Sequence, residues 1–297
     1  MKLARVERLV FAIVGTGIAL SLGACGSITD APDQQALSPE RIREIVASPD
    51  RSAADRNNDV RRKPEQMLAF IGIRPGIVAL DLSAGRGYTT ELLARAIGPK
   101  GMVYGQSQPR DPNRPPPAPA ASEGNSNPAT QADAMQTAQT APVPVTSLAA
   151  LAQRNKSLLD AGVQAAPIVA VVQRFVDPVP AELANGRLDL VTLMFNYHDL
   201  EYLGVDRAQM NRAIFRALKP GGVYVIADHA GRPGTGSSES GTLHRIEEAF
   251  LRREVQAAGF KLTAQADFLR NPADPRDRNT PDPPQPKDEF VLKFVKP

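Results

Sequence analysis

From residue 77 onward the hydrophobic positions fall into short runs separated by amphipathic stretches. Residues 77–82 and 188–195 are apolar along most of their length, as central strands covered on both faces are. Residues 102–105, 167–172 and 223–227 read as three further strands. Between them, residues 88–97, 146–160 and 206–218 read as helices, the second with Leu148, Leu151, Leu158 and Leu159 roughly along one face. A last helix over about 243–258 leads to two strands, 260–268 and 289–295. With only a Pro- and Asp-rich excursion and no crossover helix between them, these two should pair antiparallel. The alternation predicts an α/β fold: a Rossmann-like doubly wound sheet, mostly parallel with a final antiparallel strand, in a single domain over residues 76–297.

The N-terminal third is patterned differently. Ser38-Pro39-Glu40 offers a helix N-cap with proline at the first helical position, and a helix should run to about Ala47. Residues 48–63 are so densely charged that no buried face is expected, which predicts a solvated helix pair or a lid. Residues 64–71 read as an amphipathic helix, so 38–75 form a helical cap on the domain. Inside the domain, residues 108–145 shift to Pro, Ala, Gln, Ser and Asn. Such a composition buries too little surface to offset the entropy of ordering, and the segment reads as a disordered insertion beside the second strand.

Composition narrows the class of partner. The chain has 297 residues and a formal net charge of +3. Residues 1–24 hold three bases, Lys2, Arg5 and Arg8, and one acid, Glu7, so without them the charge is +3 − 2 = +1. A nearly neutral chain gives no electrostatic case for nucleic acid. Cys25, the one cysteine, excludes an internal disulfide and a multi-thiolate zinc site. It follows a short basic segment, a mostly apolar run over residues 9–20 and the small residues Leu22-Gly23-Ala24. That arrangement resembles a bacterial lipobox. It implies a signal peptide over 1–24, lipid on Cys25, a tether over 25–37, and a domain anchored to the membrane in the cell envelope, facing the periplasm. Gly26 after the cysteine favours, by the same resemblance, the outer membrane.

In an open α/β sheet the ligand lies at the carboxyl ends of the strands, where strand order reverses. After the first strand comes Asp81-Leu82-Ser83-Ala84-Gly85-Arg86-Gly87-Tyr88, in which glycines let the backbone approach a ligand at a helix N-terminus. Leu218-Lys219-Pro220-Gly221-Gly222 precedes the fifth strand, as a turn suited to type II geometry. Taken in order with the terminal antiparallel pair, these motifs resemble class I S-adenosylmethionine-dependent methyltransferases. Residues 51–64, Phe195-Asn196-Tyr197-His198-Asp199 and Gly241-Thr242-Leu243-His244-Arg245 are similar to a poorly characterised subgroup of predicted methyltransferases.

The resemblance implies S-adenosylmethionine as cofactor. Asp81, Ser83, Gly85 and Gly87 would line its methionine end, Gln106 its ribose, and Asn196 and Tyr197 would orient cofactor or substrate. Asp177 would lie near the adenine. Ser83 replaces the first glycine of the family loop, which a negative φ there would accommodate. Gly105-Gln106-Ser107 stands where the family carries an acid for the ribose hydroxyls. Exchanging a charge-assisted pair for neutral hydrogen bonds costs on the order of 1–2 kcal/mol, so weak cofactor binding is expected.

Methyl transfer to a hydroxyl or amine needs a positioned nucleophile and a base. His198 or Asp199, just after the fourth strand, is the candidate catalytic base, while His229 and His244 read as structural or exposed. A variant reading gathers Asp199, Asp228 and His229 around a divalent ion; acid and histidine pairs are common at strand tips, and no metal is assigned on the sequence. No Gly-x-Ser-x-Gly elbow, Walker loop or HExxH motif is present. The expectation is therefore a methyltransferase acting on a small-molecule substrate. The alternative is a non-catalytic, lipid-anchored binding module that keeps the fold, because an envelope protein has little access to a cofactor made in the cytoplasm.

Overall fold

The computed structural model describes residues 35–109, 146–279, 281 and 285–297. The lipobox, Cys25 and most of the Pro/Ala-rich insertion lie outside the described residues. All that is described belongs to one compact unit, Pro32–Pro297.

Seven strands form one sheet: β1 (Val78–Leu82), β2 (Met102–Ser107), β3 (Ile168–Val172), β4 (Leu188–Met194), β5 (Leu218–His229), β6 (Lys261–Ala266) and β7 (Glu289–Val295). Their order is β3-β2-β1-β4-β5-β7-β6. The pairings among β1 to β5 are parallel, and β7 runs antiparallel between β5 and β6. The predicted doubly wound sheet is therefore present, with the terminal pair antiparallel as its short connection requires.

Period-two alternation assigns each strand's side chains to opposite faces. Leu80, Leu82, Val191, Leu193, Tyr224 and Ile226 join one buried cluster, packed with α7 (Arg207–Ala217) and α9 (Glu248–Ala257). Ala79, Leu190, Val225 and Ala227 join the other. That face is covered by α1 (Pro39–Val46), α3 (Pro64–Ile71), α4 (Tyr88–Ile97) and α5 (Ser147–Asp160), which supply Ile45, Leu68, Leu93 and Leu151. Short helices α6 (Asp199–Tyr202) and α8 (Ser240–Leu243) follow the tips of β4 and β5.

Four local expectations are corrected. On α5 only Leu151 and Leu158 are buried, while Leu148 and Leu159 are exposed, because β3 at the sheet edge offers a narrow surface to pack against. Lys219 to Gly222 is a bulge inside β5 rather than a turn before it: Leu188 pairs with Leu218 but Leu190 pairs with Val223, so the extra residues loop out and bind Lys296. The helix expected over 243–258 is broken at His244, whose left-handed backbone (φ 51°) ends α8, and Ile246 bridges to Ala230 before α9 begins.

The charged block is the fourth. It folds as one helix, α2 (Ala53–Arg62), capped by Ser52. Arg51 and Asp55 are buried against partners rather than solvated. Arg51 pairs with Asp59 at 2.7 Å, and Arg154 of α5 pairs with Asp55 at 2.7 Å. Arg61 reaches Glu289 of β7 at 2.5 Å. Charge density thus marks a helix clamped onto the domain by ion pairs, over the tips of β1 and β4.

Candidate functional site

Strand order reverses at β1, which has β2 on one side and β4 on the other. There, beyond the carboxyl ends of β1 and β4, a cleft of about 330 Å³ opens. The β1–α4 loop forms one wall through Ser83, Gly85 and Arg86, Met194 to Asn196 form another, and Asn58 and Arg62 of α2 roof it. The fold places a ligand at this crevice.

The loop owes its shape to three left-handed residues, Ser83 (φ 54°), Gly85 (φ 54°) and Gly87 (φ 80°). Ser83 does not keep the negative φ expected of it. Its amide is turned to donate to Gln106 Oε1 at 3.0 Å, and that contact holds the strained conformation. Gly87 has no room for a side chain, since a Cβ would stand 2.7 Å from both Leu151 and Arg154. At Gly85 a Cβ would meet only the Ser83 carbonyl, at 3.8 Å.

Asp81 sits beneath the loop. Its carboxylate accepts from Thr90 Oγ1 (2.6 Å) and Thr192 Oγ1 (2.7 Å). Burial raises its pKa to about 6 against the opposing effect of these two hydroxyls. Tyr88, at the first position of α4, donates to Asp59 at 2.7 Å and ties the roof to the loop. Phe195, another left-handed residue (φ 59°), lies under the guanidinium groups of Arg62 and Arg61, 4.2 and 4.7 Å from its centroid.

Asn196 is the cleft residue with an open valence. Its Nδ2 donates to Asp199 Oδ2 at 3.0 Å, while its Oδ1 is buried with no hydrogen-bond partner. A buried amide oxygen left in this state costs about 1–3 kcal/mol unless a ligand fills it.

Two predicted cofactor contacts are corrected. Gln106 is fully buried and both ends of its amide are spent, Oε1 on the Ser83 amide and Nε2 on the Gln173 carbonyl at 2.6 Å. It braces the β1–α4 loop against β2, and its remaining N–H and lone pair are buried away from the cleft; Ser107, half-buried at the strand end, is the residue at the tip. Tyr197 points into the opposite core, where its hydroxyl donates to Glu254 (3.0 Å) and accepts from Asn211 (2.9 Å). Asp177 is exposed and outside the cleft's lining.

The catalytic expectation changes as well. His198 is fully buried, with Nδ1 2.6 Å from Asp228 Oδ1 and Nε2 3.2 Å from Asp199 Oδ1. Burial opposes its charged form, but the charge of Asp228 and contacts with both carboxylates outweigh it and hold the pKa up to about 10. A histidine held in its charged form has no lone pair with which to take a proton, which argues against His198 as the base. Asp199 is a weak base too: burial acts to raise its pKa, but His198 and His244 together hold it below the ordinary carboxylate range.

His229, buried beside Phe195 and 3.0 Å from Glu289, has its pKa lowered by burial and is neutral. The set Asp199, Asp228 and His229 does not converge as a metal site: among the described residues, the group whose ligand atoms come together is His198, Asp199 and His244. The sequence reading missed His244, along with Asn58, Arg62 and Met194. The charge-dense block was the available signal for the first two of the cleft residues. Nothing local in the sequence brings His244 to Asp199.

No family model matches the chain, and no curated protein matches it. Solved structures do. A SAM-dependent methyltransferase from Aquifex aeolicus aligns at 14% identity and TM-score 0.50, over 88% of this chain and 100% of that one. An arsenic(III) S-adenosylmethionine methyltransferase from Chlamydomonas reinhardtii aligns at 16% identity and TM-score 0.51, over 87% and 73%. Geranyl diphosphate C-methyltransferase from Streptomyces coelicolor, solved with Mg2+, geranyl diphosphate and S-adenosyl-L-homocysteine, aligns at 12% identity and TM-score 0.50, over 86% and 88%. At such identities the likeness is one of fold.

Proposed function

We propose that the chain is an S-adenosylmethionine-dependent methyltransferase acting on a small molecule. The observation that carries the reading is the cleft at the β1/β4 reversal, lined by a left-handed glycine loop and by Asn196, whose buried Oδ1 has no hydrogen-bond partner. The residues fit the methionine end of the cofactor. Gly85 leaves the backbone open to close approach, and Asn196 Oδ1 has the acceptor valence that an ammonium group would fill. Arg62 and Tyr88 line the cleft beside the loop. When bound, the cofactor would supply an electrophilic methyl group on its sulfonium for transfer to a nucleophilic acceptor.

A second reading, a binding module without catalysis, draws on Gln106 and His198. The first leaves the ribose without a side chain at that position, and the second leaves the cleft without the expected base. Calorimetric titration of S-adenosylhomocysteine into the purified full-length chain separates cofactor site from none, and product formation then separates enzyme from module. Micromolar binding that Gly85→Asp removes supports the cofactor site; the aspartate places charge in the cleft while aspartate tolerates a left-handed backbone. A folded chain that takes up no S-adenosylhomocysteine rejects it.

We further propose that residues 1–24 are a signal peptide and that Cys25 carries lipid and anchors the domain in the envelope, facing the periplasm, with the outer membrane favoured. The reading rests on the order of basic, apolar and small residues before Cys25. Among the described residues no helix is long and apolar enough to cross a membrane. Fractionation of a Cys25→Ser variant tests the anchor: release from the membrane is expected, and a variant bound as firmly as the native chain overturns it.

A further inference from the structure

Beside the cleft, the tips of β4 and β5 carry a histidine cluster that cofactor binding does not use. His198 Nδ1 is committed to Asp228 at 2.6 Å. Its Nε2 is the remaining ligand atom, buried and without a hydrogen-bond partner. Asp199 Oδ1 is 3.2 Å from that nitrogen but is not aligned with it as a hydrogen bond. The same oxygen is hydrogen-bonded to His244 Nδ1 at 3.0 Å, a contact that an ion would replace, and ligand atoms of the three residues all fall within 4.8 Å of one another. Ion–ligand bonds of about 2.0–2.1 Å put ligand atoms roughly 2.9–3.4 Å apart in octahedral or tetrahedral geometry. Both separations from Asp199 fall in that interval, and the separation between the two histidine nitrogens is within 4.8 Å.

We infer that His198, Asp199 and His244 form a binding site for a divalent transition-metal ion of the zinc class. Two imidazoles and one carboxylate suit zinc, iron, cobalt or nickel, whereas magnesium and calcium prefer sites built from oxygen alone. The surroundings orient each ligand. Asp228 accepts from His198 Nδ1 and so turns Nε2 inward, the carboxylate–histidine arrangement that fixes metal-bound imidazoles. Asn196 holds Asp199 Oδ2 and leaves Oδ1 to the ion.

The left-handed backbone of His244 ends α8 at this point, and its side chain, 37% exposed, gives the ion a path from solvent and leaves coordination positions open. Asn196 joins this site to the cleft, so a ligand on the ion would stand beside the methyl donor. That last role rests on the methyl-transfer reading; the binding of the ion does not.

The test uses the full-length chain, free of any purification tag and stripped with a chelator. It is titrated with Zn2+ by calorimetry and with Co2+ by visible absorption. One ion per chain is expected, with a cobalt d–d band, and with binding unchanged in Cys25→Ser. His244→Ala alters a partly exposed residue and should keep the native melting profile while weakening Zn2+ by more than about tenfold. The inference is overturned by an absence of saturable binding, by Zn2+ affinity equal in His244→Ala and the native chain, or by a preference for Mg2+. Because no S-adenosyl compound enters the experiment, its failure leaves the cofactor titration to be judged separately.

Discussion

The tips of β2 and β4 flank β1 at the mouth of one cleft, and both are polar and buried, yet they do opposite things. At β2, Gln106 spends its carbonyl on the Ser83 amide and its amide on the Gln173 carbonyl. At β4, Asn196 Oδ1 is buried without a hydrogen-bond partner, and His198 Nε2 is buried 3.2 Å from Asp199 Oδ1 without an aligned hydrogen bond. A buried polar side chain whose valences are filled by its own chain is a brace; one whose valences stay open is shaped for something that arrives later. The comparison explains why Gln106 is engaged with its own chain while the neighbouring tip keeps buried polar atoms without hydrogen bonds.

The sharpest way to break the comparison is at the charged tip. His198→Leu leaves the Asp228 carboxylate buried without its cation and should lower unfolding free energy by about 3–5 kcal/mol, read from denaturant midpoints. A loss under about 1 kcal/mol would mean that the pair is not a buried charge pair at all.

Next in size is Asp81, under the loop between the two tips. Its folded pKa of about 6 lies above the 3.8 of an exposed aspartate, so the folded chain holds this proton more tightly than the unfolded chain does. The group's contribution is complete below pH 4 and is lost as pH rises through 6, by roughly 3 kcal/mol. Asp81→Asn should lack that loss, and the difference in unfolding free energy between native and variant, followed from pH 4 to 7, measures it. A difference that stays flat with pH would show that Asp81 is ionised throughout.

Gln106→Leu probes the brace. It strands the Ser83 amide and the Gln173 carbonyl and should cost about 2 kcal/mol. Affinity for S-adenosylhomocysteine should change by less than about threefold provided the loop holds its shape. A tenfold loss from a stably folded variant would return Gln106 to the ribose. The smallest effect belongs to Ser83→Gly, which relieves a left-handed serine and should stabilise the chain by about 0.5–1 kcal/mol after the added entropy of glycine is counted.

Legibility varied with how local the causes were. The helix at Pro64–Ile71 and the one at Tyr88–Ile97 follow from apolar spacing and flanking turn residues, and they form where the pattern placed them. The cleft residues Ser83, Gly85 and Asn196 were readable because they directly follow apolar strands. Tyr197, one residue from Asn196, was misread because the loop's backbone sends neighbouring side chains to opposite faces, and no spacing records that turn. Of residues 48–63 the lid alternative fits the helix over the cleft, but the absence of a buried face was misread for an electrostatic reason: charge density looks solvated until partners such as Arg154 and Glu289, far along the chain, are brought to it.

By itself the sequence determined the order of strands and helices, the parallel sheet with its antiparallel last strand, and the loop at which a ligand should lie. These depend on periodicity and turn chemistry, which act over a few residues. Only the tertiary structure decided that α2 roofs the cleft, that Gln106 is consumed as a brace, that His198 is held between two carboxylates, and that His244 meets Asp199 across 45 positions. Protonation, hydrogen-bond satisfaction and ligand geometry are set by which groups become neighbours and how much water is excluded between them, and neither exists until the chain has folded.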